Sequence, residues 1–344
     1  MNPEPIGIVL FNLGGPGDLS EVEPFLVNLF SDREIIELPG GTALQPLMAR
    51  IIAKMRGRSV RANYARIGGG SPQLRLTKAQ ASALEHRLHG LGGEHMRFRV
   101  VIAMRYSAPT CADALGELAA AGVRKIVTLT LFPHYSKATT GSSRQEFDRA
   151  LAESRFARLN FEVAHVEHYA DDPRYLDAFA GTVREAFERI PAHRRDDTVI
   201  LFSAHGLPQK FIDEGDPYVR HIEATRQGLL RRLNLPNRQL LAYQSRTGPV
   251  KWLGPGTEEV IEQLGRQGVK DLLVVPLSFV SDHIETLYEV DLLFAETARQ
   301  SGITGYFRPD ALNANPLFID ALAHLVLGRQ RETVVGTGRH RLTA

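Results

Sequence analysis

Two short segments carry the side chains best suited to chemistry. Ser203-Ala204-His205-Gly206 follows the apolar run Thr198–Phe202. Ser281-Asp282-His283-Ile284-Glu285-Thr286-Leu287 follows Leu272–Leu277. Each run reads as a buried strand whose end presents an imidazole or a carboxylate. In parallel α/β sheets, ligands bind beyond the carboxyl ends of the strands. His205 and Glu285 can therefore meet over one cleft. An imidazole beside a carboxylate, with no thiol nearby, suits proton transfer or transient binding of a divalent metal. Asp282, Glu285 and Glu289 are spaced three and four apart and so share a helical face. They read either as carboxylates favoured by a helix N-terminus or as an inward chain for protons or hydrated cations. Asp291 lies off that face and is expected to be solvated.

Other segments supply weaker signals. Asn12-Leu13-Gly14-Gly15-Pro16-Gly17 lacks the dinucleotide spacing G-x-G-x-x-G, and no P-loop Lys-Ser/Thr follows. Close approach of its backbone to a flat ligand is expected, because only glycine leaves that space. Lys54, Arg56, Arg58, Arg61 and Arg66 precede the turn Ile67–Pro72. They form a solvated basic face or a clamp for carboxylates. Arg105-Tyr106 ends another strand at the same sheet edge. The hydroxyls of Thr139–Ser143 read as helix caps. Gln244-Ser245-Arg246 and Gly248–Pro255 follow a further strand, and the sole tryptophan, Trp252, reads as a pin for that loop.

The elements that must position these groups alternate. Strands are expected at Ile6–Leu13, Arg99–Ser107, Lys125–His134, Phe161–Glu167, Thr198–His205, Gln239–Ser245, Asp271–Val280 and Ile303–Arg308. Most are rich in Val, Ile and Leu without alternation, as when both sheet faces are covered. Helical patterns lie between them at Thr77–His89, Ala112–Ala121, Pro173–Ile190, Tyr218–Leu233, Gly256–Gly268 and Ile284–Gln300. This order implies an α/β fold of two similar Rossmann-like domains, each a four-stranded parallel sheet flanked by helices. The expected boundaries are 1–170, 171–312, and 313–344 for a last helix (Pro316–Leu327) and a polar, frayed tail. Short amphipathic helices within about 21–70 interrupt the first domain. They either pack on the sheet or form a lip over an apolar ligand or a membrane surface.

The 344 residues are 43% hydrophobic and 23% charged, with a net charge of +2. That balance gives no general case for nucleic-acid or membrane binding. The one cysteine, Cys111, excludes an intrachain disulfide and reads as a small core residue. No apolar run is long enough to span a membrane, and no secretory leader is visible, so the expected compartment is the cytoplasm.

Taken in order and spacing, the segments at Asn12–Pro16, Gly68–Pro72, Phe202–Gly206, Tyr243–Arg246 with Trp252–Pro255, and Ser281–Leu287 resemble the ferrochelatases over about Ile8–Leu327. The resemblance implies a porphyrin cleft between the two sheets and insertion of ferrous iron into protoporphyrin IX. His205 and Glu285 would flank the porphyrin centre as catalytic groups and Fe²⁺ ligands. Asp282, His283 and Glu289 would extend an acidic path. Arg56, Tyr64 and Ser71 match positions that hold porphyrin carboxylates or line the lip, Arg105 and Tyr106 match the cavity wall, and Trp252 lies in a matching loop. Leu13 stands where relatives carry Tyr or Met. Tyr goes with coproporphyrin users, which tilts this chain toward protoporphyrin. Some members hold a [2Fe–2S] cluster on four cysteines. Here Lys137 occupies the loop position and the tail has no Cys, so no cluster and no tightly bound cofactor are expected. Expected partners are porphyrin and ferrous iron, with no nucleic acid. A monomer or weak dimer, with transient membrane-surface contact, is expected. Coproporphyrin III as substrate, a sirohydrochlorin-type chelatase, and a non-catalytic haem or porphyrin carrier are the alternatives.

Overall fold

A computed structural model describes residues 4–38, 40–93, 96–246 and 250–339, with side chains to residue 330. Gly248 and Pro249 of the Trp252 loop, Met1–Pro3 and residues 340–344 lie outside the described residues. β1 (Pro5–Asn12), β2 (Arg97–Met104), β3 (Lys125–Thr130) and β4 (Glu162–Val166) form one parallel sheet in the order β2-β1-β3-β4. β5 (Val199–His205), β6 (Gln239–Gln244), β7 (Asp271–Pro276) and β8 (Gly305–Phe307) form a second in the order β6-β5-β7-β8. The two sheets thus repeat one topology, as the family resemblance implied. β5 has a neighbour on each side, so its carboxyl end opens into the crevice where the strand order reverses.

The helices are α1 (Val22–Ser31), α2 (Gly41–Arg66), α3 (Gln73–Gly92), α4 (Cys111–Ala120), α5 (Ser142–Leu151), α6 (Ser154–Ala157), α7 (Pro173–Glu188), α8 (Gln209–Asp213), α9 (Tyr218–Leu233), α10 (Thr257–Arg266), α11 (Ala295–Gln300) and α12 (Pro316–Arg339). One hydrophobic cluster serves both sheets, joining Ile8 and Leu10 of β1 to Phe202 of β5 and Leu273 of β7 through Tyr175, Phe179, Phe318 and Leu322. α12 runs past the expected stop at Leu327. Arg329, Gln330, Arg331 and Glu332 are good helix formers and no proline intervenes, so Gly328 does not end it.

The insert after β1 is one short helix and one of 26 residues rather than a set of short helices. Small or polar side chains (Gln45, Ala49, Ala53, Gly57) turn inward and let α2 approach α1. The large apolar groups are left outside: Leu47, Ile51 and Met55 are 54%, 44% and 76% exposed. Cys111 begins α4, buried, and its thiol is pushed up to about 12 by that burial. It is therefore an inert core group.

His134 makes one join between the two halves. The Thr225 hydroxyl donates to the Ala170 carbonyl at 2.7 Å, so it must accept from His134 Nε2–H at 2.9 Å. His134 Nδ1 is buried without a partner. Burial, then the nearby His221 and His168, lower this imidazole to about 3. The unfolded chain therefore binds the proton more readily, and stability is complete above about 6.5 and lost as pH falls toward 3. We expect the urea midpoint to fall between pH 6.5 and 5 with a contribution from this group of up to about 1.4 kcal/mol per pH unit. A His134→Gln variant whose pH slope equals the parent's would overturn the assignment.

Candidate active site

β5 delivers His205 to the crevice with its backbone fixed on both sides. Its N–H donates to Ser278 Oγ at 2.9 Å and its carbonyl accepts from the Tyr218 hydroxyl at 3.0 Å. The ring is fixed too. Nδ1–H donates to the Gly206 carbonyl at 2.6 Å, which leaves Nε2 facing Glu285 Oε1 at 3.4 Å. The His205 side chain keeps 31% of its exposure. Gly206 is required here: a Cβ would sit 2.7 Å from the Gln244 carbonyl oxygen.

Glu285 begins a π-helical segment, Glu285–Phe294, continued by α11, where a plain α-helix was expected. The wider i→i+5 turn, typical of functional sites, brings Glu285 and Glu289 toward one line. Glu285 Oε2 meets His283 Nε2 in a short contact, and His283 Nδ1–H donates to the Ser281 carbonyl at 3.0 Å. Both His283 nitrogens thus face oxygen atoms, the Ser281 carbonyl and the Glu285 carboxylate. Phe279 packs edge-on near both imidazoles, with its ring centroid 6.1 Å from His205 and 4.4 Å from His283.

The charges shape one another. Burial alone would raise the Glu285 carboxyl, but the His283 and His205 imidazoles hold it well below the usual carboxylate range. Burial would lower His205, yet the hydrogen bond and charge of Glu285, the charge of Glu289 and the Gly206 carbonyl outweigh it, so His205 is raised. Glu289 is raised by burial and by the charge of Glu285, against the bonds from Ser245 and Gln244. Ser245 Oγ and Gln244 Nε2 donate to Glu289 Oε2 at 2.6 and 3.1 Å, and the Gln244 amide oxygen accepts from Ser203 Oγ at 2.8 Å. The loop after β6 therefore positions Glu289.

The acidic row is shorter than its spacing suggested. Asp282 does not join Glu285; its carboxylate accepts from Arg308, Thr286 and Asn313. Asp291, expected to be solvated, is held by Arg308 through bonds of 2.6 and 2.8 Å. Among the described residues, no three His, Cys, Asp or Glu side chains are grouped so as to hold a metal ion. A cation held by Glu285 and Glu289 would remain exchangeable.

The remaining expected residues fall in two groups. Tyr64 is buried beside the acidic site: burial, then the charge of Glu285, raises its hydroxyl. Leu13 packs into the lip cluster with Ile284, next to Glu285. Arg56 is exposed and lies over the Phe30 ring, 5.8 Å from its centroid. Ser71 locks the glycine turn instead of standing open: its N–H donates to the Pro16 carbonyl at 2.7 Å, and a Cβ on Gly15 would come within 2.6 Å of it. Gly14, at φ +84°, similarly makes room for Ser107. The glycines after β1 are thus required by the chain's own serines. Arg105 and Tyr106 are committed to buried Asp32, at 2.9 and 2.6 Å. They brace the lip from beneath. Trp252 bridges to Pro208 and lines a cavity of about 340 Å³ with Gln244, Ser245 and Thr257. Ser278, Phe279, Tyr218 and Asp32 were not foreseen. The expected strand over Asp271–Val280 would make Ser278-Phe279 strand residues, whereas β7 stops at Pro276.

A sequence model of the ferrochelatase family matches residues 5–330. A ferrochelatase of Geotalea uraniireducens is 49% identical over 94% of this chain and 98% of the relative. One of Synechocystis sp. is 45% identical over 94% and 82%. Among solved structures, SirB from Bacillus subtilis with Fe3+ aligns over 97% of both chains with a TM-score of 0.55 at 11% identity. A sirohydrochlorin chelatase SirB in complex with cobalt gives 0.52 at 12% identity, covering 96% of this chain and 95% of that one. At that identity the structures show the fold alone. With two chelatase sheets, an imidazole–carboxylate pair at the carboxyl end of β5, and near-half identity along almost its whole length, the chain belongs to the ferrochelatase family of porphyrin metal lyases.

Proposed function

We propose that the chain inserts ferrous iron into protoporphyrin IX, with His205 as the base for the pyrrole N–H groups and Glu285 as its charge partner and first ligand of the incoming ion. The observation that carries this reading is the 3.4 Å approach of His205 Nε2 to Glu285 Oε1, with Nδ1 committed to Gly206. That bond fixes the tautomer whose Nε2 lone pair can take a proton. The resulting imidazolium gains the Glu285 carboxylate. Two N–H protons leave as Fe²⁺ enters: one goes to His205, the other to the Glu289 carboxylate, whose proton affinity is raised by burial and by the charge of Glu285. The ion must pass to the macrocycle, so an open imidazole–carboxylate site serves better than a closed one.

The same reading has the chain work in the cytoplasm as a monomer or weak dimer, with no tightly bound cofactor. The exposed Leu47, Ile51 and Met55 would touch a membrane surface transiently. The test is anaerobic incubation with ferrous iron and either protoporphyrin IX or coproporphyrin III, followed by absorbance. Faster turnover of protoporphyrin is expected, and faster turnover of coproporphyrin would reverse the substrate assignment. Leu13→Tyr is expected to shift the ratio of kcat/KM values toward coproporphyrin by roughly tenfold. An unchanged ratio would remove Leu13 from the specificity account.

A further inference from the structure

Arg308 sits at the end of the second sheet, just past β8, and is only 14% exposed. Its guanidinium spans two carboxylates. Nη1 donates to Asp282 Oδ1 at 3.2 Å, while Nε and Nη2 donate to the two oxygens of Asp291 at 2.6 and 2.8 Å. Nη1 also reaches the Pro309 carbonyl at 3.2 Å. Asp282 precedes His283, and Asp291 lies two residues past Glu289 on the π-helical segment. These two carboxylates are therefore the nearest competitors in sequence for a cation on its way to Glu285 and Glu289. A planar fork with fixed charge suits such a bridge and cannot be deprotonated.

We propose that Arg308 acts as a built-in cation. By filling the space between Asp282 and Asp291, it denies that pair to divalent metal and confines the substrate ion to the His205–Glu285–Glu289 side. The inference rests on Glu285 and Glu289 being the ion's ligands. It adds that the row of carboxylates is closed at its other end. Asp282 also holds the adjoining turn. Its carboxylate accepts from Thr286 Oγ1 at 3.1 Å, and that hydroxyl oxygen accepts the His283 N–H at 3.0 Å. Arg308 thus steadies the turn that carries His283 while neutralising the carboxylate beside it.

The experiment titrates the metal-free full chain with Mn²⁺ and reads the free ion by electron paramagnetic resonance. Arg308→Gln is expected to bind about one more Mn²⁺ per chain than the parent, since two freed carboxylates are typical hard-cation ligands. Adding Asp291→Asn to that variant should abolish the gain. A folded Arg308→Gln chain, with the parental circular dichroism, that binds only the parental amount overturns the proposal. Should that variant not fold, Mn²⁺-soaked crystals of the parent decide. No anomalous peak is expected between Asp282 and Asp291, and a peak there overturns it. The extra equivalent depends on Asp291 and not on Glu285. A Glu285→Gln chain that keeps full activity would therefore remove the reading of the active site and leave the result for Arg308 standing.

Discussion

His205→Ala is expected to lower kcat for iron insertion by about 10²–10⁴-fold, the usual contribution of a positioned general base. Porphyrin affinity, read by fluorescence quenching, should change by less than about tenfold. The fold should survive, because the bonds that place residue 205 involve its backbone: the N–H to Ser278 and the carbonyl to Tyr218. What alanine removes is the Nε2 lone pair facing Glu285. In the parent, the raised His205 predicts that kcat/KM falls as pH drops through a value above 6.5, since a protonated imidazole cannot accept a pyrrole proton. Turnover at the parental rate in the alanine variant would end the assignment of His205 as base.

Much of this site was legible because strand ends in parallel sheets are functional positions. Unbroken apolar runs marked β5 and β7, and the residues just past them had to face the crevice. That reasoning placed His205 and Glu285 over one cleft, and in the structure they approach to 3.4 Å. It failed where the contact is decided by partners distant in sequence. Nothing local to Arg105 or Tyr106 announces that Asp32 takes up both side chains. Nothing near Asp291 announces Arg308. The spacing of Asp282, Glu285 and Glu289 gave a shared face only on the assumption of a regular α-helix. In the structure, Asp282 lies before the helical segment begins, and the segment is π-helical. The lip fared similarly. Periodicity found the apolar residues of α2, but small residues, which carry little signal, form its buried side.

The outward turn of the large apolar groups on α2 and the inward turn of its alanines have one physical cause. α1 offers Phe25, Leu26 and Phe30 as a full apolar surface, and only small side chains allow a second helix to lie close to it. Bulky residues at those positions would push α2 off α1 and displace Tyr64, near the end of α2, which is buried against the acidic site. The lip is therefore shaped from beneath by Asp32, Arg105 and Tyr106 and from within by Ala49 and Ala53. Its large apolar groups, Leu47, Ile51 and Met55, stay on the outside.

Glu285→Gln should have an effect of the same order as loss of His205, and its pH dependence separates two accounts of the pair. The carboxylate is held ionised by the imidazoles on either side, so glutamine removes a charge that is present throughout the physiological range. Without it, burial is left to dominate His205, and the imidazole must move down from its raised value. The acid limb of kcat/KM should shift to lower pH. The plateau should fall by roughly 10² or more, because neither the imidazolium nor the incoming ion finds a counter-charge. A merely disordered site would lower the plateau and leave the limb in place. If instead Glu285 were the titrating base, glutamine would erase the limb. Only a shift to lower pH, with porphyrin binding retained, fits an imidazole tuned by the carboxylate 3.4 Å away.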